Sequence, residues 1–460
     1  MIRIALFAAV LATAQAGEIV FDLAKPLHRF EGIGVNCWPG DDALPREIEE
    51  LGLRWARLWI GSKLPAPAGE DAACDAWWQG GPGNDRLAET LKLFKERGVR
   101  VIAGMGNPPA EWMEGKNKHF RPDKHAAFAR LWAAGVAHLK RVGGEIHGIE
   151  LYNEPDGGWS VHVDPEENAS LIRLVRQQLD ARGFQDVLIC APGTSHSDWG
   201  YAGDPYVNVM TPATVNAVGA WANHSWEWSL GRLDDPMRRH VLRIQWPNVL
   251  DSFRRKDPEG KKPVYVTESG TGEWRFHNRD WETYVPADQL DRSKYDAPPI
   301  AARVVENFLS LANHGANAVL FWQATDLSWS DKCDGLLRSK KLGHTPRPTY
   351  LALQSFAARI PPDARMASWS KQDENLYGAC FVGSKNALCL VVNGNENEAR
   401  STLTLQGAAA VTVRKASTFA GGATMAVSAG FDATTHSCAI ALPGDSLLVI
   451  ELASQAAPEK

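Results

Sequence analysis

Two glutamates stand at the ends of strand-like segments, where their side chains can reach a shared cleft. Glu154 lies in Asn153-Glu154-Pro155 after the apolar run 149–152, and Glu268 follows the β-branched run 264–267. Runs of this kind are typical of buried strands, and the Pro or Gly residues that follow indicate turns. Two carboxyl groups across one cleft can act as acid and nucleophile in the cleavage of a glycosidic bond. We therefore take Glu154 and Glu268 as the candidate catalytic pair.

Strand and helix patterns alternate on both sides of this pair. The predicted strands are 29–36, 54–60, 99–105, 149–152, 187–191, 216–221, 262–268 and 318–322. The predicted helices between and after them are 44–52, 84–97, 123–141, 164–182, 236–255 and 300–314. Eight such units favour an α/β fold of the (β/α)8, or TIM barrel, type. Both glutamates would then lie at the carboxyl-terminal face of the barrel, where active sites of this fold are found.

The ends of the chain have different patterns from the barrel. Residues 362–460 form short alternating runs separated by Gly, Asn and Ser turns, which predicts a β-sandwich domain, and the strand 18–21 is a candidate to join it. Residues 1–16 combine Arg3, an apolar core and Ala14-Gln15-Ala16, which is the pattern of a cleavable signal peptide. The predicted organisation is a signal peptide at 1–16, a catalytic barrel at 17–361 and a sandwich at 362–460. The mature protein is expected to be secreted or periplasmic.

Composition narrows the classes of partner. A net charge of −5 without basic runs argues against nucleic acid and anionic membranes as partners. The seven Cys are scattered, so an exported chain would leave at least one unpaired, with one or two disulfides open. The thirteen His are dispersed, and neither HExxH nor GxSxG occurs, so no metal or cofactor is expected. The 18 Trp suit stacking on sugar rings, which favours a glycan substrate.

These motifs together resemble the retaining β-glycoside hydrolases of clan A. The resemblance rests on Asn153-Glu154-Pro155, Thr267-Glu268-Ser269, Arg57 ending the second strand and Trp322 ending the eighth, and it spans about 29–360. The trailing sandwich is similar to that of families 30 and 39. The segment 30–34 resembles the opening strand of family 30. The fourth-strand phrase, with Glu150 before 153–156, resembles family 39, which includes xylosidases, iduronidases and exopolysaccharide hydrolases.

The chemistry assigns a role to each residue of this set. Glu154 would be the general acid and later the base, with a raised pKa, and Glu268 the ionised nucleophile. Arg57 would hold Glu268 deprotonated, with a simple ion pair at the barrel rim as the alternative. Asn153 would donate to the sugar 2-hydroxyl. Glu150 is assigned to a polar interior layer, because residues four apart in a strand face the same side.

Further residues are candidates for substrate binding. His224 and Trp226 stand where clan members often carry His-x-Tyr after strand six, and His224 would replace the missing phenol as partner of the nucleophile. Trp322 would form a sugar-ring floor, with core packing as its alternative. Trp38, Asn107 and Trp112 would line the cleft, with loop packing as the alternative. The long segments 272–299 and 329–334 would form walls of a groove.

The resulting expectation is a secreted retaining β-glycosidase that cleaves a polysaccharide or oligosaccharide internally. The first alternative is an exo-acting β-glycosidase of the β-xylosidase or β-galactosidase type. The second is a carbohydrate-binding barrel without catalytic activity, which would not need both glutamates.

Overall fold

The computed structural model describes residues 17–454, except 62–64, 82–83, 116–117, 158–159, 196–203, 227–236, 271–297, 327–334, 372–375, 408–410, 421–422, 427–431 and 433–435. The predicted signal peptide and most of both predicted groove walls therefore lie outside the described residues. No helix among those described is long and apolar enough to cross a membrane.

The chain alternates strands and helices as far as Gln354. Its strands are β1 Gly17–Arg29, β2 Gly32–Cys37, β3 Trp55–Ile60, β4 Arg100–Met105, β5 Met113–Glu114, β6 His119–Phe120, β7 Ile146–Glu150, β8 Leu188–Thr194, β9 Ala220–Trp226, β10 Val264–Gly270 and β11 Ala318–Phe321. Its helices are α1 Leu44–Leu51, α2 Asp71–Gln79, α3 Asn84–Glu96, α4 His125–Arg141, α5 Pro165–Ala181, α6 Pro205–Asn208, α7 Pro212–Ala217, α8 Met237–Lys256, α9 Pro298–Asn313 and α10 Pro348–Gln354.

Eight parallel strands close into a barrel, which confirms the predicted fold class. Their order around the barrel is β2, β3, β4, β7, β8, β9, β10 and β11, and β11 pairs with β2. The interior is filled by inward-facing side chains of the strands, including Trp55, Ile102, Tyr265 and Leu320. The outward-facing residues pack against the surrounding helices in one continuous core. The barrel therefore holds the carboxyl ends of its strands, and the side chains there, on one face.

The sixth barrel strand begins later than the sequence predicted. Residues 212–217 form α7, whose cap is the Thr211 side chain accepting from the Thr214 amide, and Pro212 stands at its first position. The strand, β9, starts at Ala220. The prediction of a strand over 216–221 was wrong, because this cap and proline outweigh the β-branched residues. His224 and Trp226 consequently lie within the strand rather than after it.

The fourth barrel strand begins and ends earlier than predicted, at Ile146 and Glu150 rather than at Ile149 and Tyr152. β7 ends at Glu150, so Asn153 and Glu154 belong to the following turn. Glu150 and Glu154 therefore do not share a face through strand periodicity, as the sequence argument assumed. Glu154 has a φ of 45°, a left-handed conformation rare for a residue with a side chain. This turn aims Glu154 back over the mouth of the barrel.

Beyond the barrel, nine strands form a sheet that curls over its own core. The strands after the barrel are β12 Arg365–Lys371, β13 Tyr377–Val382, β14 Asn386–Asn393, β15 Ala399–Gln406, β16 Val411–Ala420, β17 Ala423–Ala426, β18 Ser437–Leu442 and β19 Ser446–Ser454. The order across the sheet is β17, β16, β19, β14, β13, β12, β1, β15 and β18. Leu403 on β15 and Ile450 on β19 lie in the same apolar core, so one folded sheet provides both layers of the predicted sandwich.

The first strand of the chain lies inside this last sheet. β1 pairs with β12 antiparallel and with β15 parallel, as the sequence suggested for its N-terminal part. Lys25 and Pro26 lie in the half of β1 where its register with β12 is irregular. The sheet also packs on the barrel, since Asn313 of α9 donates a 2.8 Å hydrogen bond to the Gly378 carbonyl. This contact supports a stabilising role for the sheet.

The cysteines that the structure describes are thiols. They are Cys37, Cys74, Cys190, Cys380, Cys389 and Cys438, all buried. Cys380 and Cys389 are direct partners across β13 and β14, and their sulfur atoms lie 2.6 Å apart. Cys380 and Cys389 are therefore the described cysteines best placed for the disulfide that the sequence left open.

Candidate active site

Arg57 is the centre of the site at the carboxyl-terminal face. Its Nη1 donates to Glu268 Oε2 at 2.8 Å and to Asn36 Oδ1 at 3.1 Å, and its Nη2 donates to Asn153 Oδ1 at 2.9 Å. Its Nε lies 2.8 Å from Glu150 Oε2. The side chain is fully buried, so these charged contacts are shielded from water. The Arg57 guanidinium thus holds Glu150 and Glu268 together at the carboxyl-terminal ends of the barrel strands.

Glu154 is held in its turn by backbone contacts with the end of β8. Its amide donates to the Gly193 carbonyl at 3.2 Å. Asp156 accepts two further hydrogen bonds of 2.9 Å from the amide and hydroxyl of Ser195. Gly193 has a φ of +72°, and a Cβ there would lie 2.5 Å from Glu150 Oε1. Glycine is therefore required at 193 by both conformation and space.

His224 bridges the carboxylates from β9. Its Nδ1 lies 2.8 Å from Glu154 Oε1 and 3.9 Å from Glu268 Oε2, and its Nε2 lies 3.2 Å from Glu150 Oε1. Burial alone would lower the pKa of this imidazole, but the charges of Glu268, Glu150 and Glu154 raise it to about 10. His224 is therefore a cation at neutral pH, and both ring nitrogens donate.

The two candidate catalytic carboxyl groups share a strongly charged environment. Burial raises the pKa of Glu268 to about 7; His224 and Arg57 act against this rise, while Glu154 and Glu150 add to it. The expectation that Arg57 alone would keep Glu268 ionised is too simple, because burial and two neighbouring carboxylates oppose it. Burial likewise disfavours ionised Glu150, but Arg57 and His224 leave the pKa of Glu150 below its usual value.

Counting charges gives the proton content of the site. Arg57 and His224 contribute two positive charges, and Glu150, Glu154 and Glu268 contribute three negative charges when fully ionised. A buried site disfavours net charge. One proton shared by Glu154 and Glu268 makes the site neutral. This is one acid and one carboxylate, the pairing needed for general acid and nucleophile.

Asn153 connects the two halves of the site. Its Oδ1 accepts from Arg57, and its Nδ2 donates to Glu154 Oε2 at 3.2 Å. Because Arg57 fixes the orientation of the amide, the Nδ2 group points into the site. Asn153 is partly exposed, in keeping with a group that can donate to a ligand.

Three tryptophans form an aromatic wall beside Arg57. Trp38 stacks on Trp59 with ring centroids 5.8 Å apart, and Trp322 meets each of them edge-on at 5.5 Å. All three are partly exposed. The Arg57 guanidinium lies over the Trp59 ring at 4.4 Å, which fixes that ring. The predicted candidates Trp38 and Trp322 thus lie together, joined by Trp59.

The remaining predicted site residues differ in position. Asn107 is exposed and lies 3.5 Å from the Ser160 hydroxyl, in the loop beside Glu154. Trp112 is 3% exposed and packs within the barrel core, so the packing alternative describes it. Trp226 ends β9, but its side chain lies outside the described residues.

The sequence argument missed three members of the site. Trp59 was within a predicted strand, and its spacing of two from Arg57 could have placed it on the same face. Asn36, a polar residue ending an apolar strand, accepts from Trp59 Nε1 at 3.0 Å. Glu150 was recognised as interior but not as a partner of both cations. Its position at the end of β7 was hidden because the predicted strand continued to Tyr152.

Two described clusters bring three possible metal ligands within 4.8 Å of one another. They are Glu154, His224, Glu268 and His119, Asp164, Glu167. The first contains a protonated imidazole and borders Arg57, whereas a metal needs neutral imidazole. The second lies on the surface, where its members form ion pairs. The first cluster therefore fits acid–base chemistry better than a cation.

Comparisons with known proteins agree with a glycosidase chemistry for this site. No protein-family model matches the sequence. The chain is 22% identical over 407 residues to the glucuronoxylanase XynC of Bacillus subtilis, covering 85% of this chain and 80% of that relative.

Solved structures share the whole architecture. The glycoside hydrolase family 30 subfamily 8 xylanase Xyn30A from Clostridium acetobutylicum has a TM-score of 0.68 at 16% identity, covering 95% of this chain and 99% of that chain. The endo-β1,6-glucanase BT3312 has a TM-score of 0.64 at 15% identity, covering 95% and 94%. The resemblance to clan A, and within it to family 30, is therefore confirmed at the level of the fold.

Proposed function

We propose that this protein is a retaining β-glycoside hydrolase that cleaves a β-linked polysaccharide internally by double displacement. The observation that carries the proposal is the approach of Glu154 and Glu268. Carboxylate oxygens of the two residues lie within 4.8 Å of each other. Retaining enzymes separate their carboxyl groups by about 5–5.5 Å, whereas inverting enzymes leave about 6.5–9.5 Å for a water molecule. The short spacing favours direct attack by a carboxylate.

In the first step, Glu268 attacks the anomeric carbon while Glu154 gives its proton to the glycosidic oxygen. The bond to the leaving sugar breaks, and a glycosyl ester forms on Glu268. The negative charge moves from Glu268 to Glu154, where His224 Nδ1 and Asn153 Nδ2 donate to it. The net charge of the buried site is unchanged, so the step needs no additional ion.

In the second step, Glu154 takes a proton from water and the hydroxyl oxygen attacks the anomeric carbon, whose bond to the Glu268 oxygen breaks. Glu268 leaves as a carboxylate and is again paired with Arg57 at 2.8 Å. Asn153 is proposed to donate to the sugar 2-hydroxyl in both transition states. The Trp38, Trp59 and Trp322 wall would stack on a sugar ring beside the scissile bond.

Substrate class follows from the relatives and the composition. A glucuronoxylanase is similar in sequence, and a xylanase and an endo-β1,6-glucanase share this fold, so β-linked xylan and β-glucan are the first substrates to test. Internal cleavage is favoured by the endo-acting relative and by the long segments expected to border a groove. Export is proposed from residues 1–16, and the mature protein should begin near Gly17 by N-terminal sequencing.

The experiment is hydrolysis of β-linked polysaccharides and aryl β-glycosides by the wild-type protein and Glu268→Ala, with product lengths resolved. Products of several lengths, loss of activity in the variant and its rescue by azide as an α-glycosyl azide are expected. Release of single sugars would support the exo-acting alternative. Equal activity of the folded variant would refute the nucleophile assignment. Binding of glycans without hydrolysis by wild type would support the non-catalytic alternative.

A further inference from the structure

Glu150 is a third carboxylate in the site that the double-displacement scheme does not use. It is 1% exposed and ends β7, four residues before Glu154. Its two oxygens contact different cations: Oε2 lies 2.8 Å from Arg57 Nε, and Oε1 lies 3.2 Å from His224 Nε2. Transferring a carboxylate and its two charged partners from water into the interior costs free energy, which indicates that Glu150 has a role beyond packing.

The contacts place Glu150 behind both catalytic carboxyl groups. Arg57 uses its Nε for Glu150 and its Nη1 for Glu268, while His224 uses Nε2 for Glu150 and Nδ1 for Glu154. Each cation therefore links Glu150 to one member of the pair. Gly193 leaves room for Glu150 Oε1 at a point where any Cβ would lie 2.5 Å from it.

The negative charge of Glu150 also influences the proton shared by Glu154 and Glu268. Without the charge of Glu150, the site with one shared proton would carry a net positive charge. A site with excess positive charge loses a proton at lower pH. The charged and titratable groups that face Glu150 or its partner His224 are Arg57, Cys190, Glu154 and Glu268.

We propose that Glu150 is a positioning residue whose buried negative charge anchors Arg57 and the His224 imidazolium, and so makes the Glu154–Glu268 pair keep its one proton at neutral pH. This inference rests on the proposed function for its kinetic consequence, but not for its effect on His224. The residue touches neither the sugar nor the reacting atoms in this scheme. It acts through the two cations.

The kinetic test uses Glu150→Gln, which keeps the side-chain shape and removes the charge. We expect the descending limb of kcat/KM against pH to move toward acid by about one unit or more, because a neighbouring charge shifts a pKa by that amount. Glu150→Asp keeps the charge and should retain the wild-type limb at a lower rate. A limb that stays in place in Glu150→Gln, or moves equally in Glu150→Asp, overturns the proposal.

Glu47 provides a matched control. It is fully buried on α1, outside the cluster of Arg57, His224 and their carboxylates, and burial raises its pKa well above the usual value. Glu47→Gln replaces a buried carboxyl with an amide of the same shape, as Glu150→Gln does, but without touching Arg57 or His224. Its pH profile should superimpose on that of wild type. A shift equal to that of Glu150→Gln would mean that the removal of any buried carboxyl moves the limb, and would overturn the proposal.

A second readout does not depend on activity. The ring carbons of His224, assigned by comparison with His224→Gln, are followed by NMR against pH in wild type and Glu150→Gln. The imidazolium should persist above pH 9 in wild type and titrate at lower pH in the variant. If wild type hydrolyses no glycan, the proposed function fails while this titration still decides the role of Glu150. Titration of wild-type His224 near pH 6.5 would overturn that role even if Glu150→Gln did not fold.

Discussion

The imidazole of His224 lies 2.8 Å from the Glu154 carboxylate, and both side chains are almost completely buried. The contact joins β9 to the turn after β7, so Glu154, the proposed general acid, is held by an element two strands away around the barrel. A cation at this distance stabilises Glu154 in its ionised form, which is the form required of the base in the second step.

The same contact predicts a dependence of stability on pH. The pKa of His224 is about 10 in the folded protein and 6.5 without such partners, so folded chains bind more protons between these values. This contribution to stability is fully present below pH 6.5 and is lost as pH rises through 10, with a change on the order of a few kcal/mol. Urea unfolding of wild type and His224→Gln at pH 6, 8 and 10 measures it. The stability difference between the two proteins should shrink with pH; a constant difference would contradict the prediction.

Removal of the general acid should affect substrates according to their leaving groups. Glu154→Ala is expected to lower activity on a polysaccharide by about 10²–10⁴-fold, because the leaving sugar oxygen needs a proton. An aryl β-glycoside with an acidic phenol should lose much less in its first step. With azide, the variant should form a β-glycosyl azide, since Glu268 still makes the ester. Equal losses on both substrates would show that Glu154 is not the acid.

Gly193 should be intolerant of a side chain for a reason specific to the site. Gly193→Ala introduces both left-handed strain and a contact at 2.5 Å with Glu150 Oε1, whereas Gly183→Ala at φ +80° meets no atom within 4 Å. Each variant is expected to lose about 1–2 kcal/mol from backbone strain. Only Gly193→Ala should also lose activity, by roughly tenfold or more, as Glu150 is displaced. Urea unfolding with kcat/KM of both variants tests this; equal activity would argue against the contact.

Trp59 should contribute to sugar binding although the sequence argument overlooked it. Trp59→Ala removes the centre of the aromatic wall and is expected to raise KM about 5- to 100-fold, the cost of roughly 1–3 kcal/mol of stacking. The matched control is Trp78→Phe, a buried tryptophan whose Nε1 donates to the Leu131 carbonyl away from the site. That variant should lower the melting temperature without changing KM. A Trp59→Ala variant with wild-type KM would exclude the wall from substrate binding.

The barrel, and with it the placement of Glu154 and Glu268 at one end of it, could be predicted from the sequence because both depend on local patterns. Apolar runs, helical spacing and the turns after Glu154 and Glu268 are properties of neighbouring residues. The C-terminal strands Tyr377–Val382 and Ser446–Ser454 were recognised for the same reason.

Features that depend on contacts across the barrel could not be predicted in this way. The role of Glu150 depends on Arg57 and His224, which are 93 and 74 residues away along the chain. The raised pKa of Glu268 results from burial and from the neighbouring Glu154 and Glu150, which outweigh the opposing charges of His224 and Arg57. The wrong start of the sixth strand had a local cause, because the capping residue Thr211 was not weighed against strand propensity.

The position of β1 has a consequence for the order in which the chain can fold. Its last residue, Arg29, is synthesised long before its partners β12 and β15, which begin at Arg365 and Ala399. At about 5–20 residues per second the strand waits roughly 20–70 s for β12. Lys25 and Pro26 within it disfavour pairing with foreign strands during this time. Because β2 starts three residues after β1 ends, a barrel that closes first would hold β1 beside the place where the last strands arrive.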